Sequence, residues 1–176
     1  MSRGLRWSLV ACLTLEFAAL GVWTGGLVVL VAAVIPSVFN TFGGQDAGGL
    51  FLTRSFDGYN RLVLVAIAVL TVGAGWRTWV GRRGVPVRSA TCAEWTLLGA
   101  MASVAAVIVF GLHPKAAALQ AQAFAAQGEE ARKAAFTAFF RLHWPVRLLY
   151  LLNLGLGIAL IAVKVRSWIQ PQGVER

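Results

Sequence analysis

Charge is scarce in this chain: Asp, Glu, Lys and Arg supply 13% of its 176 residues, while 58% are hydrophobic. Soluble domains carry about 25% charged and roughly 45–50% apolar residues, so a water-soluble fold would lack the polar groups to cover its own core. Strict alternation of apolar and polar residues is missing too, which excludes outer-membrane barrel strands. The two cysteines, Cys12 and Cys92, are too few for a disulfide framework. They read as a reduced pair of small apolar side chains on one side of a membrane. There is no phosphate loop, no nucleophile elbow and no paired-histidine zinc motif. Acids are few, seven against sixteen Lys and Arg, for a net charge of +9. Those basic residues lie between apolar runs, without the dense basic and aromatic surface of a nucleic-acid binder. No nucleic-acid partner is expected; such charges set membrane topology and meet anionic headgroups.

What the chain does have is long apolar runs. Phe17 to Phe39 holds no charge, and as a helix it covers about 34 Å, enough for a bilayer core of about 30 Å. Met1 to Arg6 looks like the charged start of a signal peptide. The run that follows is too long, contains Glu16 and lacks a small-x-small cleavage site, so it is expected to be a retained span. Glu16 reads either as a buried protonatable group or, on the plainer account, as a residue near the cytoplasmic interface finding Arg3, Arg6 or a basic loop residue. Asn40 to Asn60 reads as a Gly-rich loop with a short surface helix around Ala47 to Phe56, and Asp57, Tyr59, Asn60 and Arg61 as a polar entry to the second span. Arg77 sits near the end of that span, where a long side chain can snorkel, beside Trp76 and Trp79 of an interfacial aromatic belt. The loop Gly81 to Cys92 holds Arg82, Arg83, Arg88 and Pro86, and Thr91-x-x-Glu94 forms a capping box opening the third span. His113-Pro114 is expected to close it.

The predicted fold is all-α: a polytopic membrane protein, a four-transmembrane-helix bundle with an interfacial amphipathic helix before the last span. The spans are 15–39, 62–80, 94–113 and 145–164, within a single membrane domain 1–176. An outer loop and amphipathic segment fill 114–143. In it Phe136, Phe139, Phe140 and His143 follow helical spacing, opposite Arg132, Lys133 and Arg141. Pro145 suits the first turn of the last span, and Lys164 and Arg166 stop it. One side collects nine basic residues: Arg3, Arg6, Arg77, Arg82, Arg83, Arg88, Lys164, Arg166 and Arg176. Seven lie on the other: Arg54, Arg61, Lys115, Arg132, Lys133, Arg141 and Arg147. The richer, shorter-looped side is expected to be cytoplasmic, with both termini there, in a bacterial inner (cell) membrane.

Candidate functional positions are few. His113 and His143 are the only histidines, and both fall at the outer boundary, where they could ligate a haem iron or contribute to a metal site. The plainer reading is two interfacial histidines bonded to backbone or headgroups. Gly21-Val22-Trp23-Thr24-Gly25 is a small-xxx-small packing motif, suited to internal bundle contact or to a dimer seam. Asn153 lies mid-span, where a lone amide is costly, and is expected to bond to a neighbouring helix.

Several short motifs carry a resemblance. They are Ile35-Pro36-x-x-Phe39, Ala47-Gly48 through Phe51 and Phe56 to Tyr59, His113-Pro114, and Phe139 with Leu142-His143 ahead of a span containing Asn153. Together they resemble the transmembrane protein 205-like family, a domain of unknown function, with a distant similarity to copper-resistance D membrane proteins. One departure is that the family places its asparagine nearer the histidine. The resemblance implies a four-helix membrane bundle and links some members to metal-drug resistance. The expected function is a small integral membrane protein without an evident catalytic site, an accessory subunit or transport-related component. The alternative is a haem- or metal-binding redox subunit using His113 and His143. Expected partners are the lipid bilayer and further copies or a larger membrane complex.

Overall fold

The computed structural model describes residues 3–42, 45–85 and 87–169. Gly43-Gly44, the side chains of Asp46 and Ala47, Pro86 and Arg176 lie outside the described residues. Among the described residues every regular element is helical. Four long helices form the chain: α1 Arg3–Phe42, α3 Cys92–Ala125 and α4 Glu129–Ile169, with α2 Gln45–Arg82. All four are long and apolar enough to cross a membrane. At 40, 34 and 41 residues, α1, α3 and α4 measure roughly 50–60 Å, so each is longer than a bilayer core. A backbone in lipid must bond to itself, and a helix does this within one segment. Short connections make the helices alternate in direction. The α2–α3 loop marks one end of the bundle, called the near end; the last residues of α1 and α3 mark the far end.

Local sequence explains where helices end. Gly84 (φ 75°) follows α2 and Gly128 (φ 95°) precedes α4, both in left-handed geometry that side chains disfavour. Thr91 starts α3: its hydroxyl accepts from the Glu94 amide at 3.2 Å. Only half of the capping box forms, because the Glu94 carboxylate is engaged elsewhere.

Proline does not end helices here as expected. The helix continues through His113-Pro114, and Pro145 lies inside α4. A proline ring clashes with the carbonyl one turn back. In α1 and α3 a π-helical turn precedes the proline, Leu30–Val34 before Pro36 and Val107–Leu112 before Pro114. The wider turn makes room for the ring, so the helix passes on. The segment expected as a loop over Asn40 to Asn60 is helical along most of its length, forming the end of α1 and the start of α2. The amphipathic segment precedes the last span as expected, but joins it in one continuous helix. Its Phe136 meets Phe124 of α3 edge-on, with ring centroids 6.0 Å apart.

The core runs between the helices through Leu20, Trp23, Leu70, Met101 and Leu160. Only 22% of the most apolar window of α1, α3 and α4 is buried, so the outward faces stay apolar, as lipid requires. Close approach is set by glycines other than the predicted pair. A Cβ on Gly26 would lie 3.2 Å from the Tyr59 ring, and one on Gly157 would collide with Thr24. Gly21 and Gly25 have no atom within 4 Å of where a Cβ would sit. Neither of these two glycines makes a close helix–helix approach inside this chain.

Candidate functional site

The most concentrated chemistry is a buried ring of four charges at the near end, one from each helix. Glu16 (α1), Arg77 (α2), Glu94 (α3) and Lys164 (α4) are each at most 4% exposed. Alternating helix direction explains their meeting. Glu16 and Glu94 lie toward the starts of α1 and α3, Arg77 and Lys164 toward the ends of α2 and α4, and all four positions fall at one depth. Arg77 Nε donates to Glu16 Oε1 at 3.0 Å, and its Nη2 to Glu94 Oε2 at 2.5 Å. Lys164 Nζ donates to Glu94 Oε2 at 3.2 Å and also to Glu16 Oε2. Each cation thus holds both carboxylates, and formal charge cancels within the ring. Arg77 Nη1 reaches the Arg88 carbonyl at 3.4 Å, tying the basic loop to the ring.

The neighbouring residues are fitted to this arrangement. Gly73, one turn before Arg77, leaves the space that Glu16 fills: a Cβ there would lie 2.5 Å from Glu16 Oε1. The thiol of Cys12 lies 3.7 Å from both Glu16 Oε1 and the Gly73 carbonyl. Cys12 and Cys92 are both free. One turn deeper on each of three helices stands a leucine, Leu20 after Glu16, Leu98 after Glu94 and Leu160 before Lys164. With Leu70 they form an apolar layer no more than 5% exposed. That layer keeps the ring dry on its inner side, where an ion pair is least screened.

Beyond the apolar layer the interior turns polar again. Tyr59 donates to the Trp23 carbonyl at 2.7 Å, and Tyr150 to Asn60 Oδ1 at 3.1 Å. Asn153 is buried as expected, but its Oδ1 has no hydrogen-bond partner among the described residues. Nearer the far end, His113 Nε2 and Asp57 Oδ1 lie 2.6 Å apart, and Thr53 bonds to Gln120.

The two predicted histidines engage different partners. His113 pairs with Asp57, whereas His143 stacks on Phe139 with centroids 5.3 Å apart. Each ring engages its own partner. Among the described residues no group of three or more His, Cys, Asp or Glu is placed to hold a metal ion. The expected partners of Glu16, namely Arg3, Arg6 or a loop residue, are replaced by Arg77 and Lys164 from within helices. The same contacts overturn the snorkelling reading of Arg77, which is only 2% exposed. In the sequence, the signal for the ring is two acids and two bases at matching ends of four apolar runs.

A bundle of four apolar helices with an internal, charge-neutral ring defines an integral membrane protein of the polytopic helical class. The chain belongs to the family described as Domain of unknown function (DUF4149), which matches residues 18–125. No curated protein and no solved structure matches it.

Proposed function

We propose that this chain is a non-catalytic component of a bacterial inner (cell) membrane, an accessory subunit or transport-related protein with both termini in the cytoplasm. The observation that carries the reading is the closed ring of Glu16, Arg77, Glu94 and Lys164. Intramembrane ionisable groups commonly mark a proton or substrate path. Here each carboxylate is held by both cations, so the ring uses its hydrogen-bonding capacity on itself. The layer of Leu20, Leu70, Leu98 and Leu160 then separates it from the polar groups around Asn153. Such a ring suits a lock that fixes four helices as one rigid unit. Gly21, exposed, and Gly25, half-buried, each with open space where a Cβ would sit, offer a seam against which another helix can approach closely. The nine-to-seven basic asymmetry supports the orientation. The resemblance to the transmembrane protein 205-like family, and distantly to copper-resistance D proteins, accords with a membrane component serving a larger process.

Mild solubilisation of the tagged full-length chain from its native membrane, followed by mass spectrometry and a visible spectrum, tests this. A stoichiometric partner supports the accessory role, and copies of this chain alone support a homo-oligomeric transport role. In either case Gly21→Ile should release the partner while leaving the bundle folded. A Soret band or stoichiometric metal that disappears in His113→Ala and His143→Ala would instead establish the redox reading. Purification as a lone colourless monomer counts against both.

A further inference from the structure

Midway along the bundle all four helices contribute to a cavity of about 10 Å³ in which the centre of a water molecule can sit. Trp23 of α1, Tyr59 and Asn60 of α2, Ile108 of α3, and Tyr150 and Asn153 of α4 line it. Two of its polar atoms, Asn60 Nδ2 and Asn153 Oδ1, are fully buried without a hydrogen-bond partner. One is a donor and the other an acceptor. The Tyr150 hydroxyl donates to Asn60 Oδ1 at 3.1 Å, which leaves Asn60 Nδ2 as the free donor. Leaving such groups unpaired deep in an apolar bundle is costly, and a single water needs about this much space and two to four polar partners.

We propose that this cavity is a built binding site for one water molecule, which accepts from Asn60 Nδ2 and donates to Asn153 Oδ1. Its second hydrogen has a phenolic oxygen within the same lining, since Tyr59 and Tyr150 use their own protons on Trp23 and Asn60 and retain lone pairs. The backbone around the site is specialised as well. Trp23 lies in the π-helical turn Gly21–Gly25 and Ile108 in the π-helical turn Val107–Leu112, and such turns recur at functional sites. The water joins α2 to α4 where neither side chain reaches the other. It is therefore a component of the fold rather than a solvent contaminant.

The chain's asparagines are Asn40, Asn60 and Asn153, so selective ¹⁵N-asparagine labelling of the full chain in lipid nanodiscs yields three side-chain amide signals. The expected result is a through-space cross peak between the Asn60 side-chain amide and a long-lived water. Ala105→Leu, which fills the cavity while keeping both amides, should abolish that peak; Asn153→Leu provides the same test should the first variant fail to fold. A wild-type spectrum with no water contact at Asn60, or with a direct contact between the Asn60 and Asn153 amides in its place, overturns the proposal. So does a water peak that survives unchanged in either folded variant.

Discussion

Replacing Arg77 by methionine tests the charge ring most directly. The side chain keeps much of its length and loses its charge. In the native bundle Arg77 contacts both Glu16 and Glu94 and is 2% exposed. Without it, two buried carboxylates face the single ammonium of Lys164, and water cannot reach them to compensate. Breaking a buried ion pair by removing one partner costs about 3–5 kcal/mol, because the remaining charge stays buried. Arg77→Met should therefore destabilise by about that amount. The paired change Arg77→Met with Glu94→Gln restores neutrality, leaving Glu16 and Lys164 as an intact pair. It should regain most of the loss, since fully replacing buried pairs is often near neutral. Equilibrium unfolding in a defined detergent or nanodisc measures the wild type, both single variants and the double variant as one cycle, with coupling of about 3 kcal/mol or more expected, because the double variant regains most of the Arg77→Met loss. The reasoning is refuted if Arg77→Met stays within about 0.5 kcal/mol of wild type, the range of an ordinary surface change, or if the two substitutions add without coupling.

Further expectations follow from individual contacts. Gly73→Ala places a methyl 2.5 Å from Glu16 Oε1, so it should cost about 1–3 kcal/mol by overpacking in the same unfolding assay, and much less in a background already carrying Glu16→Ala. Tyr59→Phe removes the donor to the Trp23 carbonyl and should cost about 1–3 kcal/mol for the buried acceptor left behind, read as a lowered unfolding midpoint. Thr91→Ala removes the cap of α3 and should cost about 1 kcal/mol. For orientation, single cysteines in a Cys12→Ala and Cys92→Ala background decide: Gln127→Cys should react with an impermeant maleimide in intact cells, and Arg83→Cys only after lysis. The reverse pattern inverts the proposed topology.

The far-end region shows why local punctuation misleads in an apolar bundle. His113-Pro114 looked like a stop because proline disfavours helical geometry before it. The π-helical turn Val107–Leu112 accommodates the ring instead, and α3 continues to Ala125. Gly21 and Gly25 looked like packing residues because their spacing fits; Gly26, Gly73 and Gly157 make the close approaches. Spacing identifies a face of a helix, but only the arrangement of neighbours decides which face is turned inward.

The sequence alone determined that this is a four-helix membrane bundle, because its apolar runs and sparse charge leave a helical backbone in lipid as the satisfiable solution. It also held every member of the ring: one isolated charge near one end of each run. Only the tertiary structure decided that Glu16 joins Arg77, Glu94 and Lys164 rather than loops or headgroups. The physical reason is that an ion pair depends on through-space distance in a low-dielectric interior, and four residues spread over 148 positions of sequence come within bonding distance only when the helices pack.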